Sequence, residues 1–265
     1  MNQTAKNADE KLHLFDHGGT TGAILRILPD ATRSLNELLP EEFWQKPDKK
    51  LRLAYTCCYL NHRDRHVMID AGIDGDEVVT ALSELEISAD DIELVCITHV
   101  DRDHVAGLLL QIGDGELAYP NAKYAIDAGL WADLDKQETY DSLPKHLNRL
   151  FQRLKELIED RVILCNGESA VADGITFVPC PGHRPGHGAY EFATDDTPIL
   201  HSGDVALHPL FFEHLDWPVT IDTHPEQAME SRKRILERAE ATGALVIGTH
   251  LPWPGTILNW VGSVG

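Results

Sequence analysis

The stretch THVDRDHVAG, Thr98 to Gly107, places His99, Asp101, Asp103 and His104 within six residues, directly after the apolar run IELVCI. Imidazole nitrogens and carboxylate oxygens are the ligands that zinc, iron and manganese share, so four of them on one short loop point to a metal site. Three further groups recur in the same setting: VPCPGH ends at His183, ILHSGD at Asp204 and VIGTH at His250. Each closes an expected strand and opens a loop, where rigid scaffolds present chemistry. A single histidine at a strand end is ordinarily a hydrogen-bonded structural residue; it is the local cluster that separates this chain from that reading. No paired cysteines lie nearby, which argues against a structural thiolate zinc.

Composition narrows the function classes. The 265 residues are 43% hydrophobic and 25% charged, as in a folded globular chain, and their net charge is -20. A polyanionic nucleic acid or an anionic lipid surface would be repelled by that charge, so neither is expected as a partner; a small-molecule substrate is. The five cysteines, Cys57, Cys58, Cys96, Cys165 and Cys180, form no C-x-x-C, and the adjacent pair is poorly placed for an ordinary disulfide. Buried, reduced thiols are expected. The opening MNQTAKNADEK has no apolar core of a signal peptide, and no later apolar run reaches the ~20 residues of a membrane span. A cytoplasmic location is the resulting expectation.

Periodicity outlines the elements. A strand is expected over 12–28, and LRLAYTCCYLNHRDRHVMIDAG (51–72) reads as two strands about a turn at Asn61–Arg65. DEVVTALSEL reads as a helix with Asp74 or Asp76 as its cap. Leu143, Leu147, Leu150, Phe151, Leu154, Leu157 and Ile158 form the apolar stripe of an amphipathic helix. PEQAMESRKRILERAEATG reads as a helix with proline near its start and Gly243 as its stop, followed by the strand ALVIG and the loop THLPWPG. Strands in runs with helices between them imply sheets covered by helices, an α/β architecture. Residues 1–11 read as a flexible lead-in and 12–265 as a single domain, since no linker or repeat divides them.

The order T-H-x-D-x-D-H-x-x-G, P-G-H, S-G-D and T-H resembles the metallo-β-lactamase-fold hydrolase superfamily over nearly the whole chain, with aspartate at 101 where the commonest form has histidine. The resemblance implies an αβ/βα sandwich with two divalent metal ions at one edge of the sheets, zinc being the commonest. It implies that His99, Asp101 and His183 hold one ion, that Asp103, His104 and His250 hold the other, and that Asp204 bridges them. A metal-bridging hydroxide would attack the substrate, with Asp103 as the catalytic carboxylate that orients it and relays a proton. The tail, SGDVALHP through PEQ to THLPWPG, is similar to the branch of N-acyl-homoserine lactonases and methyl-parathion-hydrolase-like enzymes. An ester or lactone hydrolase is therefore expected; phosphotriesterase- or thioesterase-like hydrolysis on the same site, a di-iron redox enzyme and an inactive binding module are the alternatives.

Counting charge, a third carboxylate at 101 leaves the loaded centre one unit less positive than histidine would, which raises manganese or iron relative to zinc. Asp70, His187 and His201 are candidate supports of the ligands. Phe211, Phe212, Trp217 and Trp253 are candidate walls of a substrate pocket. The segment 29–50, with Phe43 and Trp44, reads as a lid, a dimer contact or packed surface, and a homodimer is an open possibility.

Overall fold

A computed structural model describes residues 11–111, 115–136 and 145–257. Two mixed sheets make up its centre. The first has seven strands in sequential order: β1 (Leu12–His17), β2 (Thr20–Ser34), β3 (Lys50–His62), β4 (Arg65–Ile69), β5 (Leu94–Cys96), β6 (Lys123–Asp127) and β7 (Val162–Cys165). Its first four strands pair antiparallel and β4 to β7 pair parallel. The second sheet has six, in the order β13 (Thr256–Ile257), β12 (Leu245–Ile247), β11 (Ile199–His201), β10 (Gly188–Phe192), β9 (Ile175–Pro179) and β8 (Ser169–Ala172).

Three apolar clusters define the layers. Ile24, Leu60, Ile69 and Cys96 of the first sheet meet Phe177, Tyr190, Phe192 and Ile247 of the second in one buried cluster between the sheets. The outer face of the first sheet packs on α2 (Gly75–Glu84), α4 (Ala128–Asp133) and α5 (Lys145–Ile158) through Leu82, Leu130, Phe151 and Leu154. That of the second packs on α1 (Leu35–Leu38), α6 (Leu210–Glu213) and α7 (Pro225–Thr242) through Leu35, Phe211, Ile235 and Ala239. The result is a four-layer αβ/βα sandwich.

Several local details follow from residue chemistry. The strand expected over 12–28 is folded back on itself at Gly18–Gly19, both at positive φ, giving β1 and β2; glycines accept the primed turn that suits tightly twisted strands. Arg63 and Asp64, also at positive φ, make the turn between β3 and β4. Asp74 caps α2, its carboxylate accepting from the amides of Asp76 and Glu77. Gly243, at φ 67°, ends α7 in the left-handed region. In α5, Leu147, Leu150, Phe151, Leu154, Leu157 and Ile158 face the first sheet, whereas Leu143 lies outside the described residues. All five cysteines are free and buried. Among the described residues no helix is long and apolar enough to cross a membrane.

Candidate metal centre

Four strand ends at one edge of the sandwich supply the site. The loop after β5 carries His99 and Asp101, and the one-turn helix α3 (Arg102–Val105) that follows carries Asp103 and His104. His183 follows β9, Asp204 follows β11 and His250 follows β12. Backbone packing explains the glycines in these loops. A Cβ on Gly107 would sit 2.0 Å from the Ala71 carbonyl oxygen, so only glycine lets α3 press against the loop after β4. A Cβ on Gly182 would lie 2.1 Å from the Ala228 amide nitrogen, so the P-G-H loop packs directly on the start of α7.

All seven side chains converge. Their donor atoms fall into three overlapping groups, His99–Asp101–His183, His99–His104–Asp204 and Asp103–His104–His250, each with donor atoms within 4.8 Å of one another. Asp204 is the shared member: its Oδ2 lies 3.9 Å from His99 Nε2, 3.5 Å from His104 Nε2, 3.5 Å from His183 Nε2 and 3.1 Å from His250 Nε2. Asp101 Oδ2 lies 3.7 Å from both His99 and His183 Nε2, while Asp103 Oδ2 lies 3.5 Å from His250 and 3.9 Å from His104 Nε2.

The residues fit a pair of cations. The Nε2 atoms of His99, His104 and His183 and Oδ1 of Asp204 are buried without a hydrogen-bond partner. Buried polar atoms are rarely left so, and their grouping in one cluster is the donor chemistry that suits cations. On the far side of each ring the partners are in place. His104 Nδ1 donates to Asp70 Oδ2 at 2.7 Å, His183 Nδ1 to Asp222 Oδ1 at 2.9 Å and His250 Nδ1 to the Ala54 carbonyl at 2.8 Å. His99 Nδ1 lies 3.0 Å from Thr98 Oγ1, which itself donates to Asp70 at 2.7 Å. Holding Nδ1–H this way fixes the tautomer and turns every Nε2 lone pair inward.

Electrostatics agree. Burial disfavours charge on His104, His183 and His250, but neighbouring carboxylates outweigh it: His104 is raised well above its ordinary value by Asp204 and Asp70, His183 to about 9 by Asp101 and Asp222, and His250 is raised by Asp204. For Asp204, burial is opposed by His250 and His104, and the carboxyl ends well below its usual range. The carboxylates thus create a potential that binds positive charge at this spot.

The supporting residues take distinct places. Asp70, at φ 55°, accepts from the Thr98 amide and hydroxyl as well as from His104, and holds the ligand loop without joining the donor groups. His187 Nε2 accepts from the Asp204 amide at 3.0 Å, and His201 Nδ1 from the Gly203 amide at 3.3 Å; both steady the turn that presents Asp204. Burial holds His201 down at about 4 and His187 well below its ordinary value, so both are neutral.

The pocket expectation needs correction. Phe211, Phe212 and Trp217 are buried among the side chains beneath α7, with Trp217 stacked on His214 at 3.8 Å. Trp253 packs on the inter-sheet cluster with the Arg26 guanidinium 4.4 Å over its ring. None of the four lines the cavity over the metal centre, which measures about 340 Å³ and is walled by Arg33, Glu37, Leu38, Leu53, Tyr55, Leu207 and Ile221. The wall is thus built partly from 29–50: Leu35, Leu38 and Leu39 anchor that segment in the core while Arg33 and Glu37 face the opening. The aromatic run after Asp204 reads as pocket or as core equally well; being continuous, it serves the core.

Sequence reasoning passed over three residues. Asp222 orients His183 and is itself 3.7 Å from the buried Arg232, which also donates to the carbonyls of Val205 and Trp217. Tyr55 packs edge-on against His250 with ring centroids 4.8 Å apart. Arg184 grips Asp101 with two nitrogens, Nε to Oδ1 and Nη2 to Oδ2, each at 2.8 Å. A lone arginine inside a proline–glycine loop beside a ligand was the only signal for it. The charge count changes accordingly, because the guanidinium returns the unit that a third carboxylate removes.

Among proteins of known structure, the fold matches a hydrolase named AbOPH of the β-lactamase superfamily, with TM-score 0.79 and 20% identity over 96% of this chain and 94% of that one. It also matches AidC, a dizinc quorum-quenching lactonase solved with the product N-hexnoyl-L-homoserine, with TM-score 0.76 and 19% identity over 98% and 97%. A curated relative from Mycobacterium tuberculosis, named a probable metallo-hydrolase, is 25% identical over 158 residues, 54% of this chain and 46% of its own length. The chain therefore spans about half the length of the curated relatives it matches. The family profile described as Metallo-beta-lactamase superfamily matches residues 52–250, which contain all seven converging residues, and the chain belongs to that superfamily.

Proposed function

We propose that this chain is a dinuclear metal-dependent hydrolase acting on a carboxylic ester or lactone. The observation that carries the reading is Asp204 Oδ2 standing within 3.9 Å of four imidazole nitrogens, three of them buried and unpartnered, on the floor of an open cavity. When bound, two divalent ions supply an acidified water and a Lewis-acid contact to the scissile carbonyl oxygen. His99, Asp101 and His183 would hold one and Asp103, His104 and His250 the other, with Asp204 near both groups. Asp103 is partly exposed to the cavity and accepts the proton released in attack, then returns it to the departing alkoxide.

The wall suits such a substrate. Leu38, Leu53, Leu207 and Ile221 offer an apolar surface to an acyl chain, and Arg33 and Glu37 give polar contacts at the rim. Support for the lactone class also comes from AidC, a lactonase of the same fold. A pure binding role has no comparable support, since every ligand position carries a competent donor. The chain is taken to work on small molecules and not on nucleic acid or membranes, given a net charge of -20.

The test is a substrate panel run on protein reconstituted with Zn, Mn, Fe or Co: acyl-homoserine lactones, aryl esters, thioesters and aryl phosphotriesters. Lactones or esters are expected to give the highest kcat/KM. Activity confined to phosphotriesters would contradict the reading.

A further inference from the structure

Asp101 is the one converging carboxylate whose two oxygens are both taken by a cation of the protein. Arg184 Nε lies 2.8 Å from Oδ1 and Nη2 2.8 Å from Oδ2, the parallel fork that makes arginine–carboxylate pairs strong and directional. The guanidinium is fixed from behind, since Nη1 donates to the carbonyls of His183 at 2.8 Å and Ile221 at 2.7 Å. Oδ2 is also the atom that lies 3.7 Å from His99 and His183 Nε2. One oxygen thus faces both the guanidinium and the place a metal ion would take. Among the described residues Asp103 and Asp204 have no such partner.

We infer that Asp101 and Arg184 act as a single neutral unit, standing where a neutral ligand would do the same work, and that cation affinity at the His99–Asp101–His183 position follows the net charge of this pair. Asp101, Asp103 and Asp204 carry three negative charges and Arg184 one positive, so the protein presents a net charge of minus two to two divalent ions. A neutral residue at 101 without an arginine at 184 would present the same. The guanidinium also draws electron density from Oδ2, so this position is the weaker of the two and fills second. Arg184 is accordingly a positioning residue. The inference rests on the proposed metal centre and not on the substrate assigned to it.

The test uses the full chain stripped by chelator and titrated with Zn and with Mn, reading metals bound per chain by mass spectrometry and affinities by chelator competition. Asp101→His leaves an uncompensated guanidinium and should weaken the second equivalent roughly tenfold; Arg184→Met leaves an uncompensated carboxylate and should tighten it by a similar factor. The double variant Asp101→His with Arg184→Met restores the net charge and should return to within about threefold of wild type. Arg184→Lys, which keeps the charge, should stay as close. If Arg184→Met weakens binding, or the double variant is worse than Asp101→His alone, Arg184 serves only as a prop and the inference is overturned. Circular dichroism of each apo variant checks folding; should Arg184→Met unfold, Arg184→Lys decides, because loss of affinity there would also reject charge as the cause. A wild type that binds two ions yet hydrolyses nothing leaves the inference standing and removes only the substrate reading, whereas a wild type that binds no transition metal overturns both.

Discussion

The two halves of the candidate metal centre are built from the same kinds of residue and supported differently. Around His104 and His250 the props are Asp70 and the Ala54 carbonyl, wholly inside the protein and independent of any cationic side chain. In the other half His99 rests on Thr98, but His183 is backed by Asp222 beside the buried Arg232, and Asp101 is backed by Arg184, the last two side chains being 29% and 28% exposed. One half is held by packing and hydrogen bonds that the fold itself demands. The other depends on charged pairs, one of which, Asp101–Arg184, is open to water. A buried hydrogen-bonded support is costly to disturb because its partners have no alternative, whereas a half-exposed ion pair is screened and replaceable. Damage to the first half should therefore appear as lost stability, and damage to the second as altered metal affinity with the fold intact.

The largest effect is expected where the inner half meets the backbone. Gly107→Ala drives a methyl group to 2.0 Å from the Ala71 carbonyl, and α3 must move with His104 on it. We expect a loss of about 3 kcal/mol or more, read as a lower midpoint in denaturant or poor soluble yield. An unchanged midpoint would show that this contact relaxes freely.

Next come the props. Asp70→Asn should lower metal affinity by about 10–100-fold and lower apo stability as well, because three donors converge on that buried carboxylate. Asp222→Asn should cost similar affinity with a smaller change in melting, since its carboxylate accepts from one imidazole where that of Asp70 takes three donors. Equal losses of stability in the two variants would erase the contrast between the halves.

A smaller effect follows from pH. Burial holds His201 at about 4, below the ordinary 6.5, so between these values the unfolded chain takes up a proton that the folded chain refuses. Its contribution is full above pH 6.5 and is lost as pH falls towards 4, by at most about 3 kcal/mol. Asn at 201 keeps an acceptor for the Gly203 amide without the titration. The difference in denaturant stability between wild type and His201→Asn should therefore shift in favour of the variant on acidification; a constant difference would argue against it.

The smallest effects concern the cavity wall. Leu53→Ala should raise KM several-fold for long acyl substrates, while Trp253→Phe, away from the cavity, should leave KM within about twofold. The reverse ranking would return Trp253 to the pocket.

Much of this was legible in residue order because metal ligands and helix caps are short-range signals. The T-H-x-D-x-D-H loop, the P-G-H, S-G-D and T-H groups and the Asp74 and Gly243 caps each sit within a few residues of what they act on. The hairpin at Gly18–Gly19 was equally local and still overlooked, since an apolar run on each side read as one strand. Long-range facts were not legible. Asp222 reaches His183 across 39 positions and Ala54 reaches His250 across 196, and no spacing marks either. Phe211 and Trp217 show the converse limit, for an aromatic next to a ligand looks the same in sequence whether it faces a cavity or the core.

Asp204 is the carboxylate shared by both halves, so the most direct measurement is the metal content of wild type and Asp204→Asn after reconstitution and removal of loose ions. Wild type should retain two ions per chain. The variant should retain fewer than one with its circular dichroism unchanged, because a neutral amide with a single oxygen replaces the carboxylate that lies 3.1–3.9 Å from the imidazoles of both halves. Two ions retained by Asp204→Asn, or none by wild type, would contradict a dinuclear centre joined at Asp204.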